Sequence, residues 1–253
     1  MFNTWLVSSV LVVSSLPAMG QWFKVPETGI PRLPNGQVDL AGPVPKLADG
    51  KPDLSGIWSP PGPPLQDIAS GMTGPVPYTA WSKSIFDERA DGARGKEDPA
   101  AYCVPTMPKL IVLPYPYKIL QGPGMILVLY EGFTTFRQIF TDGRALPKDP
   151  QPSWIGYSVG HWEGDTLVVD TIGVNEKTWL DNAGRPHTAD MKLRETYRRK
   201  DFGHLEVRLT IDDPKAYTKP LVITEDARLL PETELLEYTC TENNKDVEHL
   251  FGK

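Results

Sequence analysis

The sequence predicts an all-β protein, an antiparallel up-and-down β-barrel of about eight to ten strands. Short runs of alternating apolar and polar residues follow one another from about residue 115 to 241. Gly, Pro, Asn and Asp separate these runs, and helical periodicity is almost absent between them. Because open sheet edges are a liability, a meander of this length is expected to close on itself.

Residues 1–20 have the features of a signal peptide. The apolar stretch 5–16 is too short to span a bilayer, and Ala18 and Gly20 are small residues at the two positions that a signal peptidase reads. One feature is atypical, since no Lys or Arg precedes Lys24. We expect the mature protein to be periplasmic or secreted.

Composition narrows the classes of partner. The 253 residues carry a formal net charge of -6, spread along the chain without a basic stripe that could neutralise phosphates. A nucleic-acid partner is therefore not expected, and neither is a membrane span. The oligomeric state stays open.

The number of cysteines is consistent with export. Cys103 lies in a Pro-rich segment and Cys240 near the end of the chain. An even count in an exported protein favours one disulfide, with two unpaired buried thiols as the alternative. A nucleophilic cysteine is disfavoured because neither residue is flanked by His or by a helix start that would lower the thiol pKa.

Residues 21–110 are predicted to form a Pro-rich arm packed on a barrel domain of residues 111–253. Proline excludes regular helix from "PRLPNGQVDLAGPVPKLADGKPDLSGIW", which is expected to be extended. One short helix is predicted at residues 79–91 and is expected to lie across one end of the barrel. Nine strands are then predicted, at residues 117–121, 125–130, 134–141, 155–162, 166–172, 191–199, 204–211, 221–229 and 235–241.

Strand parity predicts which side chains face inward, because successive residues of a strand point to opposite faces. In residues 191–199 the odd positions are largely apolar and carry Glu195 with them into the interior. In residues 221–229 the odd positions likewise carry Glu225 inward. Glu195 is either a ligand-gripping or acid/base group of raised pKa, or one half of a structural ion pair with Arg137.

The loop of residues 175–190 is the second candidate region, because long loops at a barrel mouth often carry function. His187 with Asp181 is a candidate oriented general base. The alternative is an ordered lid held by Trp179, in which Asp181 and Asn182 make the turn. His161, Glu163 and Asp165 alternate around a hairpin, but no metal is predicted because no second His is close in sequence.

Two resemblances add to this interpretation. Gly56-Ile57-Trp58 resembles the Gly-x-Trp that opens the first strand of lipocalins, which makes the predicted barrel lipocalin- or calycin-like. The runs "PDLSGIW", "FRQIFTDGRALPKDP", "SVGHWEGDTLVVDTIGVNEKTWLD", "TIDDPKAYTKP" and "ELLEYTCTENNKD" resemble a large family of exported, functionally uncharacterised bacterial proteins. That resemblance implies export and a shared fold, and it brings no activity with it.

The first functional expectation is a protein that binds a small apolar or aromatic molecule inside the barrel, without a cofactor. Phosphate-binding loops, nucleophile elbows and His-Glu-x-x-His are missing from the sequence. The alternative is a cofactor-free lyase, isomerase or hydrolase with Glu195 and His187 as acid and base. A structural or envelope-interaction protein with a filled barrel is the third possibility. The ligand-binding residues are predicted to be Tyr130, Phe136, Arg137, Tyr157 and Trp179.

Overall fold

The computed structural model describes residues 29–90, 92 and 94–242, and the predicted signal peptide lies outside them. The described chain forms a closed β-barrel in which neighbouring strands are consecutive in the sequence, with the last strand beside the first. The predicted all-β barrel is confirmed. The strands are β1 (Gly56–Ser59), β2 (Tyr117–Gly122), β3 (Met125–Tyr130), β4 (Thr135–Phe140), β5 (Tyr157–Glu163), β6 (Thr166–Ile172), β7 (Lys192–Arg199), β8 (His204–Asp212) and β9 (Leu221–Leu229).

The barrel is mixed rather than wholly antiparallel, because β4 and β5 run parallel. All other neighbouring strands of the described chain are antiparallel. A ring of nine strands cannot alternate in direction throughout, so one parallel pair is required. The long connection of residues 141–156 returns the chain to the other end of the barrel, as a parallel pair demands.

The strand that closes the barrel differs from the prediction. Residues 235–241 form no strand, and β1 from the Pro-rich arm lies between β9 and β2 instead. Trp58 of β1 pairs with Leu229 on one side and with Tyr117 on the other. β1 occupies the edge of β9 at Arg228 and Leu229, at the end where the chain leaves β9 towards residues 235–241. The barrel therefore begins at β1, within the predicted arm of residues 21–110.

The inward faces of β7, β8 and β9 are as predicted. Glu195 and its odd-numbered neighbours on β7 are buried, and so are the odd-numbered residues of β8 and β9. The even-numbered residues of these strands are exposed or half-buried. Both glutamates that parity carries inward, Glu195 and Glu225, thus lie inside the barrel wall.

The arm covers both ends of the barrel. At the end formed by the β5–β6 and β7–β8 turns, Lys46 Nζ lies 2.8 Å from Asp165 and Gly203 N donates to the Leu40 carbonyl at 2.7 Å. At the opposite end, Asn182 N donates to the carbonyl of Leu65 in helix α1 (Pro63–Gln66) at 2.9 Å. The protein's own N-terminal segment therefore covers the barrel interior from both ends.

The predicted short helix is present as α2 (Ala80–Arg89). Thr79 caps it, and Thr79 and Ser82 form a reciprocal capping box. Thr79 N and Ser82 Oγ both donate to the Ala216 carbonyl in the β8–β9 connection, which fixes α2 at one end of the barrel as expected. The remaining α-helix is α3 (Lys109–Val112), and 3₁₀ helices span Ile68–Gly71, Gly95–Glu97, Pro99–Tyr102 and Gly132–Thr134. None of the described helices is long and apolar enough to cross a membrane.

Cys103 and Cys240 form the predicted disulfide, with their Cα atoms 5.7 Å apart. The bond joins the arm to the segment after β9, across a sequence separation of 137 residues. A cross-link that closes so long a loop removes much conformational entropy from the unfolded chain.

We predict that the disulfide carries a substantial share of the stability. Replacing both cysteines by serine is expected to lower the free energy of unfolding by about 4–5 kcal/mol, because the unfolded chain regains the entropy of an open loop. Urea unfolding with and without a thiol reductant measures this change. The double serine variant is the control and must be insensitive to reductant. An oxidised wild type that unfolds at the same urea concentration after reduction would contradict the prediction.

Candidate functional site

A buried ion pair lies inside the barrel between β4 and β7. Arg137 Nη1 and Nη2 donate to the two carboxylate oxygens of Glu195 at 2.8 and 2.7 Å. Both side chains are fully buried. Although burial alone would lower it, the Glu195 carboxylate raises the pKa of Arg137 well above its ordinary value. Arg137 is therefore charged in the folded protein.

Three hydroxyl groups complete the hydrogen bonding of this pair. Ser158 Oγ and Thr171 Oγ1 accept from the Arg137 guanidinium at 3.0 and 2.7 Å, and Tyr197 Oη donates to Glu195 at 2.6 Å. We call these five residues the inner network. Both carboxylate oxygens of Glu195 accept hydrogen bonds. Of the two roles predicted for Glu195, the structure therefore shows the ion pair with Arg137.

Tyrosines form part of the interior around this network. Tyr117 and Tyr130 are buried, and their ring centroids lie 5.9 Å apart. Burial raises the pKa of Tyr130 to about 12, although Arg137 acts in the opposite direction. Burial and then the charges of Tyr130, Glu225 and Glu195 raise the pKa of Tyr117 well above its ordinary value.

Glu225 is the unpaired charge of the interior. It projects inward from β9, opposite Val207 of β8, and only 7% of its surface is exposed. Its Oε1 is buried and has no hydrogen-bond partner among the described residues. Desolvation raises the pKa of Glu225 to about 7, and no nearby charge opposes this shift. A carboxylate of this kind is a candidate binding or proton-transfer group.

Glu225 lies beside an incomplete part of the barrel wall. β1 pairs with β9 only at Leu229 and Arg228, so residues 221–227 have no strand neighbour on that side. The 3₁₀ helix Ile68–Gly71 covers this part of β9, and a Cβ added to Gly71 would lie 2.6 Å from Ile223 Cγ2. We call this stretch the β9–β1 seam. Here a short helical segment packs against β9, where the ladder of hydrogen bonds to a neighbouring strand is missing.

Two of the residues predicted to line the interior lie on the outer face. Phe136 is 59% exposed, because Arg137 and Ile139 are the inward residues of β4. Tyr157 is half-buried and stacks on Phe140 outside the barrel, with Ser158 as the inward residue of β5. The choice of aromatic residues was wrong here because it ignored the parity that held for β7. Parity applied to β2 would have found Tyr117.

The loop of residues 175–190 folds as an ordered cover at the end of the barrel near α1. Asp181 Oδ2 accepts from Ile68 N at 2.8 Å and pairs with Arg185 at 2.5 Å. Arg185 also reaches Asp67 at 2.7 Å. Asp181 therefore ties the loop to the arm.

His187 is in a different group of hydrogen bonds. Its Nδ1 lies 2.9 Å from the Thr188 carbonyl, and its Nε2 lies 2.6 Å from Thr178 Oγ1. Burial lowers the pKa of His187, which is therefore neutral at pH 7. The structure shows no hydrogen bond between Asp181 and His187, so the predicted dyad is not assembled in the described loop.

Trp179 is buried beneath cations of the arm. The Arg89 guanidinium lies 4.4 Å from its ring centroid and Lys109 Nζ lies 5.9 Å away. Lys109 pairs with Asp98 and donates to Asn182 Oδ1 at 3.0 Å. Sequence reasoning missed Lys109, because a lysine in a short Pro-flanked segment gives no signal of burial. Trp179 thus holds the cover and does not face the inner network.

The surface carries a His–Glu pair and two open clefts. His161 Nε2 lies 3.0 Å from Glu163 at an exposed position, and no group of three His, Cys, Asp or Glu side chains in the described residues has a metal-binding arrangement. Two open clefts, of about 820 and 810 Å³, lie where the arm meets the end of β9 and where residues 148–152 meet the start of β7. The lining of these clefts does not include Glu225.

No family model and no curated protein matches the chain. The functional argument therefore rests on the geometry of the barrel interior.

We predict that the inner network is required for folding stability. Glu195→Gln leaves the Arg137 cation buried without its counter-ion, and the free energy of unfolding is expected to fall by about 3–5 kcal/mol. Arg194→Gln on the same strand is the matched control, since it removes an exposed ion pair with Asp170 and should cost under about 1 kcal/mol. Equal losses in the two variants, measured by urea unfolding, would refute the role of burial.

In contrast to Glu195, we predict that replacing Glu225 raises the free energy of unfolding. With its pKa raised to about 7 in the folded state, the stability that Glu225 contributes is present at low pH and is lost as the pH rises through 7. Glu225→Gln should therefore stabilise the unliganded protein by about 1–2 kcal/mol at pH 8, and by less than half of that at pH 5. Water reaches part of the carboxylate, so the gain is smaller than the full shift implies. Urea unfolding at both pH values measures it.

Asp226→Asn is the control for this experiment, because Asp226 lies on the outer face of β9 and pairs with Lys200 there. It should change stability by under about 1 kcal/mol at either pH. A Glu225→Gln variant that is less stable than wild type at pH 8 would show that the carboxylate has a partner in solution.

Proposed function

We propose that the protein acts outside the cytoplasm and binds a small, largely apolar or aromatic molecule inside the barrel, next to Glu225. The observation that carries this proposal is the buried Oε1 of Glu225, which has no hydrogen-bond partner among the described residues. The disulfide supports the location, since such bonds persist in oxidising compartments.

The free-energy cost of burying Glu225 without a partner supports the proposal that a ligand binds beside it. A buried polar group without a partner costs free energy, and an unpaired charge costs more. The inner network shows that this chain supplies partners to a buried carboxylate, since Glu195 accepts from both Arg137 and Tyr197. Glu225 is the exception in the same interior. A group kept at a cost to stability is expected to serve function.

The surroundings of Glu225 suit a small apolar molecule. Tyr117 and Val207 face inward as Glu225 does, and Val207 lies opposite Glu225 on the neighbouring strand. Ligand pockets are mostly apolar and aromatic, with few polar groups that fix orientation. Access is proposed to occur at the β9–β1 seam, where Ile68–Gly71 rather than a strand closes the wall.

The alternative of an enzyme with Glu195 and His187 as acid and base has less support. Both oxygens of Glu195 accept hydrogen bonds within the inner network. Both ring nitrogens of His187 have partners in the loop. A general acid or base must reach the substrate through a free atom, and in this interior the carboxylate of Glu225 offers one.

We predict saturable binding of one small molecule per protein. Native mass spectrometry of the mature protein, purified gently from its own host, is expected to show a retained mass that is lost on mild denaturation. Val207→Phe fills the space opposite Glu225 and should weaken binding more than about tenfold, measured by calorimetry with the released molecule.

Arg208→Phe adds the same ring on the outer face of β8 and is the matched control, with unchanged binding expected. An empty protein that also binds none of a panel of small aromatic and aliphatic compounds would favour the structural protein with a filled barrel.

A further inference from the structure

The two inward glutamates of the barrel differ in their partners. Arg137 and Glu195 neutralise each other through two hydrogen bonds. Arg199, which also projects inward from β7, donates to the backbone carbonyls of Asp53 and Phe202 at the covered end. The pKa of Glu225 is raised by desolvation without a contribution from either arginine. Glu225 is therefore paired with neither inward arginine, and its Oε1 has no hydrogen-bond partner among the described residues.

Tyrosine rings of the same interior can attract cations. Tyr117 and Tyr130 are buried, and their ring centroids lie 5.9 Å apart. The Trp58 ring is already covered, since the Arg199 guanidinium lies 5.0 Å from its centroid. The faces of Tyr rings attract cations, and more strongly where water is excluded. A carboxylate and tyrosine rings within one buried interior are groups that recognise ammonium ions.

Ligands of other charge satisfy Glu225 less well. An anion would be repelled by the carboxylate and would find Arg137 already engaged by Glu195 and two hydroxyl groups. A neutral hydroxyl could donate one hydrogen bond to Oε1 but would leave the buried charge uncompensated. An ammonium group supplies both a hydrogen bond and a positive charge for Glu225, and charge-assisted hydrogen bonds are the stronger kind.

We propose that the ligand is an amine, bound as an ammonium ion that pairs with the Glu225 carboxylate, with its apolar or aromatic body against Tyr117 and Tyr130. This inference rests on the proposed function, because it names the class of molecule that the barrel interior takes. Glu225 is the recognition group, and the inner network supplies a rigid wall next to it.

Binding is expected to be linked to pH. Free Glu225 has a pKa of about 7, whereas the ammonium complex requires the ionised carboxylate. The other titratable side chains in the barrel interior are Tyr117 from β2, Tyr130 from β3 and, in the inner network, Arg137, Glu195 and Tyr197. The inward residues of β8 are apolar, and Asp67 beside Ile68–Gly71 pairs with Arg185 instead. The tyrosine pKa values are raised and that of Arg137 stays high, so Glu225 is the group expected to titrate near pH 7.

The test uses matched pairs of compounds that differ in one group. 1-Naphthylmethylamine with 1-naphthalenemethanol, benzylamine with benzyl alcohol, and hexylamine with hexanol are titrated into the mature protein by calorimetry at pH 8. At least one amine is expected to bind one per protein and about 10- to 100-fold more tightly than its alcohol. Affinity for that amine should fall roughly tenfold from pH 8 to pH 6, because the carboxylate is mostly protonated at pH 6, while affinity for the alcohol does not fall.

Variants locate the effect. Glu225→Gln should abolish the preference for the amine and its pH dependence while the protein stays folded, and Asp226→Asn should keep both. If alcohols bind as tightly as amines, or if Glu225→Gln still prefers the amine, this inference is wrong although the proposed function stands. If no compound of any pair binds and the native protein carries no retained molecule, the proposed function fails with it.

Discussion

The pair of Arg137 and Glu195 holds together one of the two junctions of the barrel that have only two residue pairs. β4 and β5 are joined by only two residue pairs, at Ile139 and Phe140, so few backbone hydrogen bonds cross this parallel junction. Arg137 of β4 reaches across it to Ser158 of β5 and onwards to β6 and β7. Side chains thus replace the missing ladder. Because the pair is buried, its hydrogen bonds are strong and directional. They fix the position of β4 relative to β5, β6 and β7.

The two inward glutamates show how far sequence reasoning extends. Glu195 and Glu225 occupy the same kind of position, at odd places in strands of clear alternation, and parity predicts correctly that both face inward. Parity says nothing about partners. The partners of Glu195 come from β4 and from Tyr197, whereas Glu225 meets a gap in the strand ladder. That difference depends on which strands lie side by side in the closed barrel, and the residues of a single strand do not show this.

The same limit explains the errors of the prediction. The periodicity of β7, β8 and β9 is long enough to be read directly, and the helix at Ala80–Arg89 has a readable capping box. In contrast, β1 has four residues within a Pro-rich segment, and its role in closing the barrel depends on Leu229 far along the chain. Asp181 and His187 are close in sequence but have partners on different segments, Ile68 of the arm and Thr178 of the loop. Spacing alone could not separate them.

The position of β1 between β2 and β9 has a consequence for biogenesis. Synthesis proceeds from the N-terminus, so Trp58 is made long before Leu229, the residue beside which it comes to lie. β1 can pair early with Tyr117, but its second edge has no partner until the last strand has emerged. Contacts between such distant residues form slowly and leave apolar surface exposed meanwhile. A nascent chain with an unfinished ring thus keeps apolar surface exposed, and truncation before β9 would make that state permanent.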